Sequence, residues 1–131
     1  MRLLLDTHVA LWAIVDSPKL PQSARALIVD PANQVFVSIA TLWEIAIKHA
    51  LRGKGANAMP VSAAEACSHF LGAGYVLLPV ETGHALELEK LAAHHGDPFD
   101  RLLIAQAQRE PLRLLTHDAA LGAYGACVAV V

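Results

Sequence analysis

The segment Arg2-Leu3-Leu4-Leu5-Asp6-Thr7-His8 decides the fold, because its apolar run ends in an acid and leads into a helical pattern. The three leucines follow one another without alternation, which is typical of a short strand buried on both faces of a parallel sheet. The helical pattern covers residues 8–16, and prolines follow it. The segment therefore predicts a strand over residues 2–6 that leads directly into a helix.

Strand and helix patterns alternate along the rest of the chain. The other predicted strands are residues 34–38, 75–80, 112–116 and 127–131. The other predicted helices are residues 21–30, 41–52, 62–72 or 62–74, 81–94, 98–109 and 118–124, and Ser62 and Glu65 form a capping box at residue 62. This alternation predicts an α/β fold, a three-layer α/β/α arrangement with a parallel sheet of about five strands. We expect residues 1–131 to form a single domain.

The composition excludes several classes of protein. Hydrophobic residues make up 55% of the 131 residues and charged residues 17%, which excludes a disordered chain. No apolar run reaches the ~18 residues that a membrane span needs. The formal net charge of -2 excludes a generic polycationic nucleic-acid binder. The two cysteines, Cys67 and Cys127, lie far apart, so we expect no disulfide framework and a cytoplasmic protein.

Two acids follow predicted strands. Asp6 closes the first strand, and Asp118 follows the fourth strand after Thr116-His117. Because sites in open parallel sheets form outside the carboxyl ends of the strands, both acids are candidate site residues. Both also precede helical patterns, and aspartate is a good N-cap. The two roles can coexist, so neither excludes the other.

Glu44 is the third candidate acid. It lies in the first turns of the helix that follows the second strand, and apolar residues surround it in the sequence. The alternative role for Glu44 is an ion pair with Lys48 one turn later, which contributes only a few tenths of a kcal/mol to helix stability.

The fourth candidate comes from the segment Asp97-Pro98-Phe99-Asp100-Arg101. Pro98 suits the first helical position, so Asp97 is predicted to be the N-cap and Asp100 to lie at N3. A cap explains Asp97 well. It explains Asp100 less well, because the next turn is apolar and indicates a buried helix.

Four carboxylates, Asp6, Glu44, Asp100 and Asp118, are therefore predicted at one edge of the sheet. Gathered negative charges repel one another and raise each other's pKa, and a divalent cation relieves this repulsion. A set of oxygen ligands favours Mg²⁺ or Mn²⁺. Four histidines lie nearby in the sequence and leave zinc as an alternative, although they lack a zinc-ligand spacing: His8, His94, His95 and His117.

Four segments of the chain resemble, in order and spacing, the PIN-domain family, and within it the VapC-type toxins of bacterial toxin–antitoxin pairs. The first two are Leu4-Leu5-Asp6-Thr7-His8 and Ser38-Ile39-Ala40-Thr41-Leu42-Trp43-Glu44-Ile45. The third runs from His95-Gly96-Asp97-Pro98-Phe99-Asp100-Arg101 through Leu102-Leu103-Ile104-Ala105-Gln106-Ala107, and the fourth is Leu114-Leu115-Thr116-His117-Asp118. The resemblance covers essentially the whole chain.

This resemblance implies a metal-dependent ribonuclease that cleaves RNA with Mg²⁺ or Mn²⁺. By position in the motifs, Asp6, Glu44, Asp100 and Asp118 look like the four acids of the family's active site. We expect Asp6 and Asp118 to bind the metal directly, with Asp100 and Glu44 completing the site directly or through water. Thr116 matches the family's hydroxyl residue near the last acid, and Thr7 is an assisting residue at the first. The resemblance also implies a homodimer and a small antitoxin that neutralises the enzyme near these acids.

Two further expectations concern surfaces. Basic residues could contact phosphates that flank the cleaved bond, with ordinary solvated surface as the alternative: Lys48, Arg52, Lys54 and Arg101. The early helices could form an apolar groove for a partner, with packing against the sheet as the alternative: Leu11, Trp12, Ile14 and Val15.

Other functions remain open on the sequence. A phosphatase with a nucleophilic aspartate usually has a second aspartate two residues later, where this chain has His8. A signalling receiver needs an aspartate at the exit of the third strand, where this chain has Pro79-Val80-Glu81. A PIN-like domain that only binds is expected to lack an acid, and all four are present.

Overall fold

The computed structural model describes residues 1–51 and 59–131. The strands are β1 (Arg2–Leu5), β2 (Gln34–Ser38), β3 (Val76–Leu78), β4 (Arg113–Thr116) and β5 (Val128–Val130). The α-helices are α1 (Thr7–Ile14), α2 (Gln22–Val29), α3 (Ile39–Ala50), α4 (Ala63–Gly72), α5 (Thr82–Glu87) and α6 (Pro98–Arg109). Two 3₁₀-helices, Leu88–Lys90 and Ala119–Tyr124, complete the described elements.

The strands form one sheet in the order β3-β2-β1-β4-β5, and every neighbouring pair is parallel. The predicted α/β fold with a five-stranded parallel sheet is therefore confirmed. The central strand β1 has β2 and β3 on one side and β4 and β5 on the other. The direction of the strand order thus reverses between β1 and β4, and sites in such sheets form in the crevice at this reversal.

Helices cover both faces of the sheet. Leu4 and Leu5 are both fully buried but belong to different hydrophobic clusters. Leu4 packs with residues of α6 such as Ile104, and Leu5 packs with residues of α1 such as Val9. Successive side chains of a strand point to opposite faces, so the three-leucine run supplies both layers of the core.

One predicted helix is wrong in its extent. The pattern over residues 81–94 predicts a single helix, whereas α5 ends at Glu87 and the 3₁₀-helix Leu88–Lys90 follows it. Leu91 then adopts an extended backbone (φ -71°, ψ 132°) and packs against the cluster that contains Leu4. The packing of Leu91 outweighs the helical propensity of residues 91–94, because propensity is a weak preference that packing overrides.

The start of α4 follows the predicted cap, whereas α3 begins at Ile39 with Ser38 as its N-cap, two residues before the predicted start. Ser62 Oγ accepts a hydrogen bond from the Glu65 N–H at 3.1 Å, and Glu65 Oε1 accepts one from the Ser62 N–H at 3.1 Å. The predicted capping box at the start of α4 is thus present. The predicted end of the third helix at residue 52 lies outside the described residues.

Within the two described ranges, no helix combines the length and apolarity that a membrane crossing requires.

Candidate functional site

Asp6 lies at the reversal of strand order and has two roles there. Its Oδ1 accepts a hydrogen bond from the Val9 N–H at 3.0 Å, so Asp6 is the N-cap of α1. Its Oδ2 accepts a hydrogen bond from the Thr116 hydroxyl at 2.5 Å. Thr116 ends β4, and the register of β1 with β4 places Leu5 opposite Leu115, which brings the next residues of both strands together. Capping and a place in the site therefore coexist at Asp6.

The surroundings of Asp6 disfavour its negative charge. The residue is buried, with 6% of its surface exposed. Burial raises the pKa of Asp6, and the negative charge of Glu44 raises it further. Three effects lower the pKa of Asp6 without cancelling the effect of burial. They are the hydrogen bonds from Thr116 and Val9 and the electrostatic effect of His8. A buried carboxylate of this kind gains stability from a cation.

Glu44 is also buried and engages both of its carboxylate oxygens. Oε1 accepts a hydrogen bond from the Thr7 hydroxyl at 2.7 Å, and Oε2 pairs with Lys48 Nζ at 2.6 Å. The Thr41 hydroxyl lies 3.2 Å from that of Thr7. The alternative ion pair with Lys48 is therefore present, and Thr7 contacts Glu44 rather than Asp6.

The start of α6 has the predicted register. Asp97 Oδ1 accepts hydrogen bonds from the N–H groups of Phe99 at 2.8 Å and Asp100 at 3.2 Å, so Asp97 is the N-cap. Pro98 occupies the first helical position, and Asp100 is at N3. The Asp97 carboxylate thus caps the helix, whereas Asp100 contributes only its N–H to the cap and its carboxylate takes no part in it.

Asp100 and Asp118 meet around a histidine. His95 Nε2 donates a hydrogen bond to Asp100 Oδ2 at 2.9 Å and lies 4.0 Å from Asp118 Oδ2. One ligand atom from each of these three residues lies within 4.8 Å of the other two. The sequence singles out the two aspartates as site residues, whereas it names His95 only among four histidines that leave zinc as an alternative.

Asp100 has a strongly perturbed acidity. Burial raises its pKa to about 6, and the negative charges of Asp97 and Asp6 act in the same direction. His95 lowers the pKa of Asp100, both through its hydrogen bond and through the electrostatic effect of its ring. Since Asp6 contributes to this shift, the charges of the two predicted site acids act on one another.

Asp118 is linked to Asp6 through Thr116. The Asp118 N–H donates a hydrogen bond to Thr116 Oγ1 at 3.1 Å, and Thr116 Oγ1 in turn donates to Asp6. Asp118 Oδ1 accepts a hydrogen bond from the Ala120 N–H at 3.0 Å and so caps the 3₁₀-helix Ala119–Tyr124. Its Oδ2 is the atom that faces His95.

A cleft of about 200 Å³ opens beside Asp6 and Asp118. Its other lining residues are His8, Trp12 and His117. The Trp12 ring centroid lies 6.1 Å from that of His8 and 5.8 Å from that of His117. The sequence does not single out this aromatic wall, because its members belong to α1 and to the segment after β4.

The donor atoms suit a hard divalent cation. Two groups of three or more closely spaced ligand atoms occur in the described part of the chain, and neither contains Asp6 or Glu44. One is the group formed by His95, Asp100 and Asp118, in which carboxylate oxygens predominate. Carboxylates are the ligands that Mg²⁺ and Mn²⁺ prefer. The structure therefore contains a carboxylate cluster that fits such an ion, with Asp6 and Glu44 outside its closest contacts.

Two of the basic residues considered as phosphate contacts have protein partners. Lys48 pairs with Glu44. Arg101 donates hydrogen bonds from one guanidinium nitrogen to the carbonyl oxygens of Ala92 (3.1 Å) and His95 (3.3 Å) and to the Tyr124 hydroxyl (3.2 Å). Arg101 therefore fixes the segment before α6. Arg52 and Lys54 lie outside the described residues.

The expected apolar groove on the early helices is wrong in its location. Leu11 is buried, and Trp12 and Ile14 pack against the core, which leaves only Val15 well exposed. Exposed apolar side chains instead follow one another at four-residue spacing along α3, which places them on one face. This α3 stripe consists of Ile39, Trp43, Ile47 and Leu51, with 39% to 60% of each residue exposed.

Comparisons with known proteins agree with the fold. The PIN domain family model matches residues 3–126. Among solved structures, the chain is similar to VapBC2 from Rickettsia felis bound to a promoter DNA fragment, with a TM-score of 0.67 and 17% identity over 100% of this chain and 98% of the other. It is similar to a toxin-antitoxin complex from Klebsiella pneumoniae, with a TM-score of 0.65 and 17% identity over 98% and 96%. It is also similar to FitAcB from Neisseria gonorrhoeae, with a TM-score of 0.60 and 19% identity over 96% and 95%. A search of curated proteins finds no match.

Proposed function

Because the chain belongs to the PIN-domain family, we propose that it is a metal-dependent ribonuclease, the VapC-type toxin of a toxin–antitoxin pair, acting as one domain over residues 1–131. PIN domains are generally nucleases. The observation that carries the proposal is the meeting of acids from separate elements where the strand order reverses. Asp6 follows β1, Asp118 follows β4 and Asp100 begins α6, and each retains a carboxylate oxygen close to another site residue.

The proposed catalytic residues are Asp6, Glu44, Asp100, Asp118 and Thr116. Asp100 and Asp118 would hold the cation directly. Asp6, expected as a direct ligand, and Glu44 lie outside the closest contacts of this group, so both would complete the site through water. Thr116 orients Asp6 through its hydroxyl and Asp118 through the Asp118 N–H. When bound, Mg²⁺ or Mn²⁺ would lower the pKa of a water molecule and stabilise charge on the scissile phosphate.

RNA is the proposed substrate despite the acidity of the site. The formal net charge of the chain is only -2, so a bound cation offsets a large share of the repulsion that a phosphate would meet. The cleft lined by His8, Trp12 and His117 places aromatic rings next to Asp6 and Asp118, where a base beside the cleaved phosphate can stack.

The proposed partners are a small antitoxin and a second copy of the chain. The antitoxin follows from the similar solved structures, which include a toxin-antitoxin complex. The homodimer is supported by the α3 stripe, a continuous apolar face that water disfavours and that a copy of the same face would cover. We propose the cytoplasm as the place where the protein meets both RNA and antitoxin.

The proposed function is tested by RNA cleavage with the purified protein. We expect cleavage with Mg²⁺ or Mn²⁺, loss of cleavage in EDTA and recovery when the metal is restored. The Asp118→Asn variant controls for a contaminating nuclease, because it should be inactive under all these conditions. Equal cleavage in EDTA would contradict the metal mechanism. Binding of RNA without cleavage would favour a PIN-like domain that only binds, and release of phosphate from monoesters would favour a phosphatase.

A further inference from the structure

His95 occupies a position that the acids alone do not explain. Its Nε2 atom lies 2.9 Å from Asp100 Oδ2 and 4.0 Å from Asp118 Oδ2, and the ligand atoms of all three residues lie within 4.8 Å of one another. Two donor atoms bound to one six-coordinate ion at about 2.1 Å are about 3 Å apart when adjacent and about 4.2 Å apart when opposite. The His95–Asp100 and His95–Asp118 distances fall within this range, and the Asp100–Asp118 pair lies within 4.8 Å, so small side-chain movements would bring all three atoms to one ion.

We propose that His95 Nε2 is a ligand of the divalent cation together with Asp100 and Asp118, an inference that rests on the proposed function. The site would then combine two carboxylates with one imidazole. Both Mg²⁺ and Mn²⁺ prefer carboxylates, but Mn²⁺, as a first-row transition ion, accepts an imidazole nitrogen more readily than Mg²⁺ does. His95 therefore favours Mn²⁺ over Mg²⁺ relative to a site made of carboxylates alone.

The backbone around His95 holds the ring in place. Arg101 donates hydrogen bonds to the carbonyl oxygens of Ala92 at 3.1 Å and His95 at 3.3 Å, and so joins the segment before α6 to the helix itself. The same guanidinium contacts the Tyr124 hydroxyl, and the Tyr124 ring packs edge-on against His94 at 5.1 Å. These contacts hold the backbone of His95 beside α6, and the hydrogen bond from Nε2 to Asp100 orients its ring.

A second histidine, His84, differs from His95 in that neither of its ring nitrogens is available to a metal ion. His84 lies with Glu81 and Glu110 in the other closely spaced group. Its Nδ1 accepts a hydrogen bond from the Glu81 N–H at 3.0 Å, so its Nε2 carries the ring hydrogen and donates to Glu110 Oε2 at 2.5 Å. His84 thus has no lone pair left for a metal and connects α5 to the end of α6. His95 Nε2, by contrast, uses its hydrogen in the bond to Asp100. When that hydrogen moves to Nδ1, the lone pair of Nε2 becomes available to a metal ion.

The test is electron spin echo spectroscopy of the whole chain with one equivalent of Mn²⁺. A nitrogen bound to Mn²⁺ modulates the echo, so wild-type protein should show ¹⁴N modulation. His95→Gln should keep the fold by circular dichroism, lose the modulation and bind Mn²⁺ roughly tenfold or more weakly by calorimetry, with a smaller loss for Mg²⁺. The matched control is His69→Gln, which removes an exposed imidazole on α4 and should retain the wild-type spectrum.

The outcomes separate this inference from the proposed function. Bound Mn²⁺ without ¹⁴N modulation in the wild type, or modulation that persists in His95→Gln, would overturn the role of His95 and leave the carboxylate site in place. Modulation lost in His69→Gln would likewise overturn it. Absence of any Mn²⁺ binding, with Asp100→Asn and Asp118→Asn indistinguishable from wild type, would overturn both the inference and the metal-dependent function.

Discussion

The hydroxyl of Thr116 donates a hydrogen bond to Asp6 Oδ2 at 2.5 Å, although the two residues lie 110 positions apart in the chain. Thr116 Oγ1 also accepts the Asp118 N–H at 3.1 Å. One buried hydroxyl therefore connects the acid after β1 to the acid after β4. This contact therefore orients the Asp6 carboxylate and positions the backbone of Asp118.

Replacement of Thr116 by valine removes the hydroxyl but keeps the shape of the side chain, so it tests the role of the hydroxyl alone. Thr116→Val leaves Asp6 buried without one of its hydrogen bonds, which should cost roughly 1–3 kcal/mol of stability and lower RNA cleavage. Thr116→Ser keeps the hydroxyl and should retain most of the activity. Thermal unfolding and cleavage rates measure the two effects. Wild-type cleavage by Thr116→Val would show that the hydroxyl does not orient the site.

Asp97 and Asp100 should respond differently to substitution. Asp97→Ala removes the N-cap of α6 and should cost about 1 kcal/mol, and Asp97→Ser should recover most of that loss because serine also caps. Asp97→Ser should remain active. Asp100→Asn should leave the fold intact but lower cleavage by orders of magnitude, because it removes the charge that a hard cation needs.

Denaturant unfolding, cleavage assays and calorimetry with Mn²⁺ distinguish these roles. The reverse pattern, an inactive Asp97→Ser and an active Asp100→Asn, would mean that Asp97 rather than Asp100 serves the metal.

The pH dependence should reflect Asp100. Its pKa in the folded protein is raised to about 6, chiefly by burial, from the ordinary value of 3.8. The folded state thus holds this proton more tightly than the unfolded state. The stability of the metal-free protein should therefore fall as pH rises from about 4 to about 6 and then level off, as far as Asp100 contributes. Asp6, whose pKa is also raised, contributes in the same direction.

Metal binding should change with pH in the opposite sense, because Asp100 must lose its proton to bind a cation. Mn²⁺ affinity should increase between about pH 5 and about pH 7. Unfolding curves and calorimetry across this range measure both trends. Asp100→Asn should weaken the pH dependence of stability, and an unchanged profile in that variant would show that other groups cause it.

The α3 stripe should mediate self-association. Ile47→Glu places a charge in the centre of the stripe and should convert the dimer to a monomer in light scattering at tens of micromolar. Val29→Glu is the matched control, because Val29 is an exposed apolar residue of a different helix and its replacement should leave the dimer intact. A wild-type protein that is monomeric at this concentration would contradict the proposed dimer.

The sequence predicts those features that depend on local pattern. The apolar runs predict the five strands, and Pro98 alone fixes the register of α6 and hence the distinct positions of Asp97 and Asp100. Asp6 and Asp118 are predictable because they directly follow strands whose carboxyl ends share one edge. The parallel register of β1 with β4 then brings Asp6 to Thr116.

The features that the sequence does not predict depend on contacts between distant segments. Residues 91–94 have a helical pattern, but the packing of Leu91 and a hydrogen bond from Arg101 to the Ala92 carbonyl oxygen hold them in another conformation. The contact of His95 with Asp100 follows from this conformation and is not visible in the sequence. The apolar pattern of α1 likewise does not reveal that Trp12 packs inward, or that α3 carries the exposed face.

The long separation between Asp6 and Thr116 has a consequence for the synthesis of the protein. A ribosome that has translated the chain as far as α6 has already made Asp6, Glu44 and Asp100, but not the strand that supplies Thr116 or the acid that follows it. The nascent chain therefore lacks the hydroxyl that orients Asp6 and one ligand of the proposed cation. Under the proposed function, the nascent chain would therefore be unable to cleave its own mRNA or the RNA of the ribosome until β4 has been added to the sheet.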